Sequence, residues 1–409
     1  LFNEWKAGDV NVRVKTVDNK PAYNFYRRWM AAYRKYVAPD GSIVLPTIQQ
    51  YAAKVDSMNS RVAEQNATDG KHLWRNIGPN RTYEHKNGEV KRKDSQVCVF
   101  RIAVSLSDSA TLYCGTEAGV VFKTTDHGKS WTPCAPQHNF GGSIYSIAIH
   151  PTDNNIVYVG GGPWLWKSVD GGDSWVRCGN IEHRVNSIRI DPRNTDYVTV
   201  AAGGDDTKNT GGGFYISSDG GISFGCTLRG CSFDHELQPG NPDRIYLIRR
   251  ESGPWADIYV SEDAGFSWHA LELPVDVDMM ICGRLAVTEA PGGEDYVYAL
   301  VTCDSWGYDA GPIGGKGTPY ILVSMDCGES WENQTDKGGK VWDITFSPIM
   351  DAAGGQGFFD MMIGASAENP AHVLFGLTSL YRSTEEGVAN YRNHGIGGYQ
   401  RNDWMRCDI

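Results

Sequence analysis

The sequence predicts an all-β fold, a β-propeller of about six four-stranded blades, with an α-helical segment in front of it. Two observations carry this. The pattern Ser/Thr-x-Asp-x-Gly-x-Ser-Trp/Phe recurs five times, and short apolar strands flank the copies in one fixed order. Counting a degenerate sixth copy, the aspartates in equivalent positions lie 44, 49, 44, 63 and 59 residues apart. Four strands in each interval make a blade, and radial repetition of blades protects the sheet edges. The 48 glycines follow no Gly-X-Y period and suit a chain with many tight turns.

From the N-terminus, residues 1–70 form a basic helical segment. Residues 22–36 lack Gly and Pro and place Tyr23, Tyr26, Met30 and Tyr33 at helical spacing, and Pro39-Asp-Gly41 ends the pattern as a turn. A second helix is expected from Thr47 to about Gln65. An aromatic, cationic helix suits a membrane surface or a partner; packing against a neighbouring domain is the plainer expectation.

Residues 71–409 are assigned to the propeller. Trp74-Arg-Asn-Ile-Gly-Pro79 looks like the strand that follows each repeat, so residues 71–80 are a candidate ring-closing strand. The blades are expected at about 99–137, 143–180, 184–229, 232–273, 281–335 and 341–391, with 392–409 opening an incomplete further blade. The second unit shows the order most clearly. Ser143-Ile-Tyr-Ser-Ile-Ala-Ile-His-Pro151, Ile156-Val-Tyr-Val-Gly160, Trp164-Leu-Trp-Lys-Ser168 and Ser174-Trp-Val-Arg-Cys178 are its four strands. First strands of the same kind begin at Arg101, Val185 and Val341. The ring reads as unfinished, so either further polypeptide of the same protein or another chain is expected to complete it.

The repeats centre on Asp126, Asp170, Asp219, Asp263 and Asp326, and the sixth copy, Ser383-Thr-Glu385-Glu-Gly387, lacks the aromatic end. In such a loop the carboxylate folds back onto backbone N–H groups, Gly accepts a positive φ, and the aromatic plugs the core. These carboxylates are therefore expected to clamp turns, not to catalyse.

Charge is divided along the chain. Residues 1–95 carry 17 basic against 10 acidic residues, and the rest carries 21 against 39, for a net −11. The only basic run is Lys91-Arg92-Lys93, which is too short to track phosphates, so nucleic acid is not expected as a partner. No stretch approaches the roughly 20 apolar residues of a membrane span, so the chain is not read as an integral membrane protein. Beginning at Leu1, it reads as the processed form of an exported protein. The ten cysteines (98, 114, 134, 178, 226, 231, 282, 303, 327 and 407) form no Cys-x-x-Cys zinc pattern. Most are read as disulfide candidates, with buried free thiols as the alternative.

The repeats resemble the Asp boxes (BNR repeats) of sialidases, of two-propeller xyloglucan-cleaving hydrolases, of sortilin-type receptors and of a photosystem assembly factor. The fold is common to them and the function is not. Phe25-Tyr-Arg-Arg-Trp29, Val37-Ala-Pro-Asp-Gly41, Trp74 with Gly78-Pro79, and Gly355-Gln-Gly-Phe-Phe-Asp360 before Asn369-Pro370 look like exported Asp-box propellers of the Bacteroidota. That resemblance implies an extracellular or outer-surface protein, a cargo of type IX secretion, whose relatives continue with more propeller sequence.

Two functions are expected. The first is a non-catalytic surface module that binds or assembles protein or glycan. The alternative is a secreted glycoside hydrolase, sialidase- or xyloglucanase-like, with a carboxylate pair on a propeller face. A sialidase-like site needs three arginines around a carboxylate, and Phe100-Arg101-Ile102-Ala103 lacks the proline of the motif that supplies the first. Arg101 therefore reads as an ordinary strand residue, and the other arginines cannot be located. Candidate face-loop carboxylates are Asp205, Asp206, Asp304, Asp309, Asp351 and Asp360. Trp255, Trp306 and Tyr308 are candidates for stacking on sugar rings. No cofactor is expected. Asp205-Asp206 and Asp304 with Asp309 are candidates for structural calcium, although no loop has EF-hand spacing. Asn66, Asn80 and Asn333 match the N-glycosylation pattern, and Asp56-Ser and Asp108-Ser resemble bacterial O-glycosylation sites.

Overall fold

The computed structural model describes residues 33, 36–40, 42–68, 82–86, 89–93, 99–136, 138–204, 211–251, 255–274, 280–289, 295–303, 318–334, 361–376, 380–383 and 391–393. The chain divides into two compact units, Leu1–Ser60 and Arg61–Ile409.

Helix α1 spans Ile48–Thr68. Thr47 starts it with a reciprocal capping box. The Gln50 backbone N–H donates to Thr47 Oγ1 at 3.2 Å, and the Thr47 N–H donates to Gln50 Oε1 at 2.9 Å. The helix expected over residues 22–36 falls largely outside the described residues, as does the candidate closing strand at 71–80. A hairpin of β1 (Thr82–Lys86) and β2 (Glu89–Lys93) holds the basic run and forms its own two-stranded sheet.

Six four-stranded antiparallel meanders follow. The first holds β3 (Val99–Val104), β4 (Leu112–Thr116), β5 (Val121–Thr124) and β6 (Thr132–Cys134). The second holds β7 (Ile144–Ile149), β8 (Val157–Gly161), β9 (Trp164–Ser168) and β10 (Val176–Cys178). The third holds β11 (Val185–Ile190), β12 (Val198–Gly203), β13 (Gly212–Ser217) and β14 (Gly225–Arg229). The fourth holds β15 (Cys231–Leu237), β16 (Ile245–Arg250), β17 (Asp257–Ser261) and β18 (His269–Ala270). The fifth holds β19 (Met280–Glu289), β20 (Asp295–Cys303), β21 (Thr318–Ser324) and β22 (Glu332–Asn333). The sixth holds β23 (Met362–Ala365), β24 (Val373–Gly376), β25 (Leu380–Ser383) and β26 (Tyr391–Asn393).

The sequence reading opened the sixth unit at Val341; the first described strand of the sixth sheet comes later. That strand is Met362–Ala365, paired residue for residue with Val373–Gly376. The turn after it contains Asn369-Pro370, much as His150-Pro151 and Asp191-Pro192 follow earlier first strands. Residues 341–348 lie outside the described residues.

The first strands of successive sheets pack side by side, β3 on β7, β7 on β11, β11 on β15, β15 on β19 and β19 on β23. The core lies between neighbouring sheets; one cluster joins Leu165, Val185, Val200 and Phe224 across the second and third. Such β-branched and aromatic residues fit a pleated surface covered on both faces.

The repeat loops have one geometry. In all five, one carboxylate oxygen accepts the hydroxyl two residues before it, at 2.6–2.8 Å, and the backbone N–H four residues after it, at 2.8–3.0 Å. The second oxygen accepts the serine hydroxyl at that later position. The residue after each aspartate has positive φ even where it is not glycine, as at His127 (59°), Ala264 (59°) and Cys327 (61°).

A second repeating contact ties the sheets together. Tyr113, Tyr158, Tyr197 and Tyr246 each donate the phenol O–H to the carbonyl of the residue after the next sheet's loop aspartate. The acceptors are Gly171 (3.0 Å), Gly220 (2.7 Å), Ala264 (2.6 Å) and Cys327 (2.8 Å). Tyr298 donates instead to the Pro370 carbonyl, at 2.6 Å. The loop of the first sheet receives no such bond among the described residues. Its Trp131 is 36% exposed, whereas Trp175, Phe224 and Trp331 are buried.

The cysteine expectation is also corrected. No disulfide forms among the described residues, and Cys114, Cys134, Cys178, Cys226, Cys282 and Cys327 are free thiols. All but Cys226 and Cys327 are buried, which places them among the apolar core residues. Burial pushes Cys134 and Cys178 up to about 12, far from reactive thiolates. Cys98 and Cys407 lie outside the described residues.

Candidate functional site

The first strands of the six sheets converge on a hub cavity of about 470 Å³. Most of these strands read as apolar runs, because both faces meet neighbouring sheets. Residues that break the run therefore stand out, and the cavity collects them: Arg101 on β3, Arg189 on β11, Asp234 and Glu236 on β15, and Arg284 on β19.

A recurrent bulge aims these side chains. The pairing of first and second strands slips by one residue between Val99 and Arg101, Ile144 and Ser146, Val185 and Ser187, Ser232 and Asp234, and Met280 and Cys282. An extra residue at one position of each first strand bends it and re-aims the side chains beyond. Arg101, Ser146, Ser187 and Asp234 each follow the slip directly, and all four line the cavity.

Arg189 forms the centre of the charge network. Its guanidinium grips Glu236 with two nitrogens, Nε to Oε2 at 2.7 Å and a closer Nη2 to Oε1, and lies 3.8 Å from Asp234 Oδ1. Asp234 Oδ2 accepts the Leu285 N–H at 3.1 Å. Burial raises the Glu236 carboxyl and Arg189 opposes that rise. Against burial, Glu236 and then Asp234 hold the Arg189 guanidinium above its ordinary value. This bidentate pair is the strong form of the interaction.

Arg101 and Arg284 are held differently. Arg284 donates one bond, to the Phe233 carbonyl at 2.8 Å, and its buried Nε has no hydrogen-bond partner among the described residues. Arg101 donates to the Phe100 carbonyl at 3.0 Å. Burial and then the charge of Arg284 push Arg101 below its ordinary value. Three guanidinium groups therefore face two carboxylates.

Behind the cavity wall, buried His235 bridges two strands of the third sheet. Its Nδ1 meets Ser187 Oγ at 2.6 Å and its Nε2 meets Thr199 Oγ1 at 2.8 Å. Burial keeps the imidazole well below its ordinary value, hence neutral. His235 itself is buried behind the wall and positions Ser187, which lines the cavity.

Of the residues singled out in the sequence, Arg101 joins the cavity, in company the sequence did not reveal. Trp255 is 37% exposed and does not line it. Asp205, Asp206, Asp304, Asp309, Asp351, Asp360, Trp306 and Tyr308 lie outside the described residues. Among the described residues no cluster of three or more His, Cys, Asp or Glu is placed to hold a metal, and no helix is long and apolar enough to cross a membrane.

No protein-family model matches the chain. It is 26% identical over 231 residues to an oligoxyloglucan-reducing end-specific xyloglucanase of Emericella nidulans, covering 51% of this chain and 26% of that protein. It is 26% identical over 296 residues to the xyloglucanase Xgh74A of Acetivibrio thermocellus, covering 67% of this chain and 28% of that protein. The chain thus spans about a quarter of these relatives' length. Among solved structures, an ancestral GH74 enzyme superposes with a TM-score of 0.55 at 17% identity, covering 74% of this chain and 39% of the other. That superposition supports a propeller fold.

Proposed function

We propose that the chain is a propeller unit of an exported, glycan-acting protein of the glycoside hydrolase kind, with saccharide entering the hub cavity. The likeness to xyloglucanases carries this reading, together with a cavity whose size and mixed polar and apolar wall suit a small ligand. Asp234 and Glu236 share one guanidinium, which holds them closer than the roughly 6.5–9.5 Å that an inverting hydrolase keeps for its water. Both lie beside Arg189, so they are suited to accept sugar hydroxyls and to stabilise positive charge. A proton donor is expected instead among the loop carboxylates Asp205, Asp206, Asp304, Asp309, Asp351 and Asp360. Export to the cell surface or medium, by the type IX route, follows from the resemblance and belongs to the same proposal.

The engaged state of the hub carboxylates favours a second reading, a module that binds glycan without cleaving it. The test is reducing-end release and binding on xyloglucan and related β-glucans, comparing the wild type with Glu236→Gln. Release by the wild type supports the hydrolase. Binding without release, weakened by Glu236→Gln, supports the binding module, and failure of folded protein to bind any glycan refutes both.

A further inference from the structure

We infer that the hub cavity recognises an acidic sugar, a saccharide bearing a carboxylate such as a uronic acid, with Arg101 and Arg284 on the carboxylate and Asp234 and Glu236 on the hydroxyls. This deepens the glycan-acting reading and rests on it. Neither relative's name specifies an acidic sugar, so the assignment comes from the cavity.

The first argument is charge. Arg189 is committed to Glu236 and lies near Asp234, whereas Arg101 and Arg284 make no ion pair among the described residues and share only the longer-range attraction of Asp234. The cavity is thus one negative charge short of balance. Two like charges pressed together in a partly desolvated site repel, and an anion between them removes the repulsion. The second argument is hydrogen bonding. A buried guanidinium nitrogen without a partner is costly, and Arg284 Nε is one. The planar fork of an arginine matches a carboxylate better than any other ligand group of that size.

The third argument points to a sugar. Side chains of the first strands line the cavity, among them the ionised carboxylates Asp234 and Glu236. Ionised carboxylates are acceptors only and retain spare lone pairs, which suits a ring of hydroxyl donors.

Calorimetric titration of the full chain tests this with five probes: a glucuronic acid-terminated oligosaccharide, its methyl ester, a neutral xyloglucan oligosaccharide, and a short peptide as free acid and as amide. The uronide is expected to bind at least about tenfold more tightly than its ester, the scale of one charge-assisted hydrogen bond. Arg101→Gln and Arg284→Gln should each erase that preference, and Arg284→Lys should restore part of it. The ester comparison needs no variant, so it stands even if a substitution unfolds the protein. Equal binding of uronide, ester and neutral sugar overturns the inference while leaving the glycan reading intact. Binding of no saccharide overturns both. Preference for the free-acid peptide over every sugar, or displacement of the uronide by equimolar sulfate, overturns the saccharide assignment.

Discussion

The repeat aspartates show how little a conserved-looking carboxylate need say about chemistry. Hydroxyl and backbone donors within the loop hold Asp219 and Asp263 down to about 2, with the Ser223 and Ser267 hydroxyls as the largest cause in each. A carboxylate whose folded pKa is depressed contributes stability that is complete above its unfolded value, near 4, and lost as pH falls through the folded value. Thermal melts should therefore show Tm falling between about pH 4 and 2, and Asp263→Asn should lower Tm at neutral pH and flatten that acid limb. The neighbouring glycines and non-glycines make opposite predictions. Gly265 has φ of 94°, and a Cβ there would sit 2.7 Å from a Phe214 ring carbon, so Gly265→Ala should cost about 1–3 kcal/mol. Ala264, at φ 59°, pays the left-handed penalty already, and Ala264→Gly should leave stability unchanged or raise it by up to about 1 kcal/mol. Chemical denaturation of the two variants checks both signs. These loop residues were legible in the sequence because each role is local, set within eight residues.

At the scale of strands, the cross-sheet tyrosines couple neighbours. Tyr246→Phe removes only the phenol O–H bonded to the Cys327 carbonyl and should cost about 1 kcal/mol. Hydrogen exchange should speed up mainly around the fifth sheet's loop, and loss of protection spread evenly over the molecule would argue against a local tie. The tyrosines were available in the sequence, as Leu112-Tyr-Cys, Val157-Tyr-Val and Ile245-Tyr-Leu at the start of second strands. Their partner, a carbonyl one blade on, was not. Asp295 heads another second strand and is fully buried. Neither carboxylate oxygen makes a well-formed hydrogen bond among the described residues, and burial pushes the group up to about 6. An acid with a raised folded pKa costs stability as pH rises from about 4 through 6. Asp295→Asn should accordingly raise Tm at pH 7 and leave it unchanged at pH 4. The hub arginines were hidden for a related reason. Arg101, Arg189 and Arg284 lie among apolar strand residues, and a one-residue bulge in each strand affects which way they face. The slip is a property of the pairing with the second strand, which no single segment reveals.

For the whole molecule, the blade order leaves two features that matter for function. The first sheet's repeat loop has no tyrosine on it among the described residues, and Val104 and Trp131 of that sheet are exposed. Four of the six first strands bring charge to one hub cavity, although no two of its three arginines are within 80 residues of each other in the chain. Repeat architecture produces such convergence directly, because equivalent positions in successive blades face one axis. The central claim is that this hub is where a glycan sits. A crystal structure of the chain soaked with a saccharide that binds in solution tests it most directly. Density for the sugar between Arg101, Arg284 and the Asp234–Glu236 pair is the predicted result. A sugar bound in an outer-face loop, with the hub unoccupied, would contradict it.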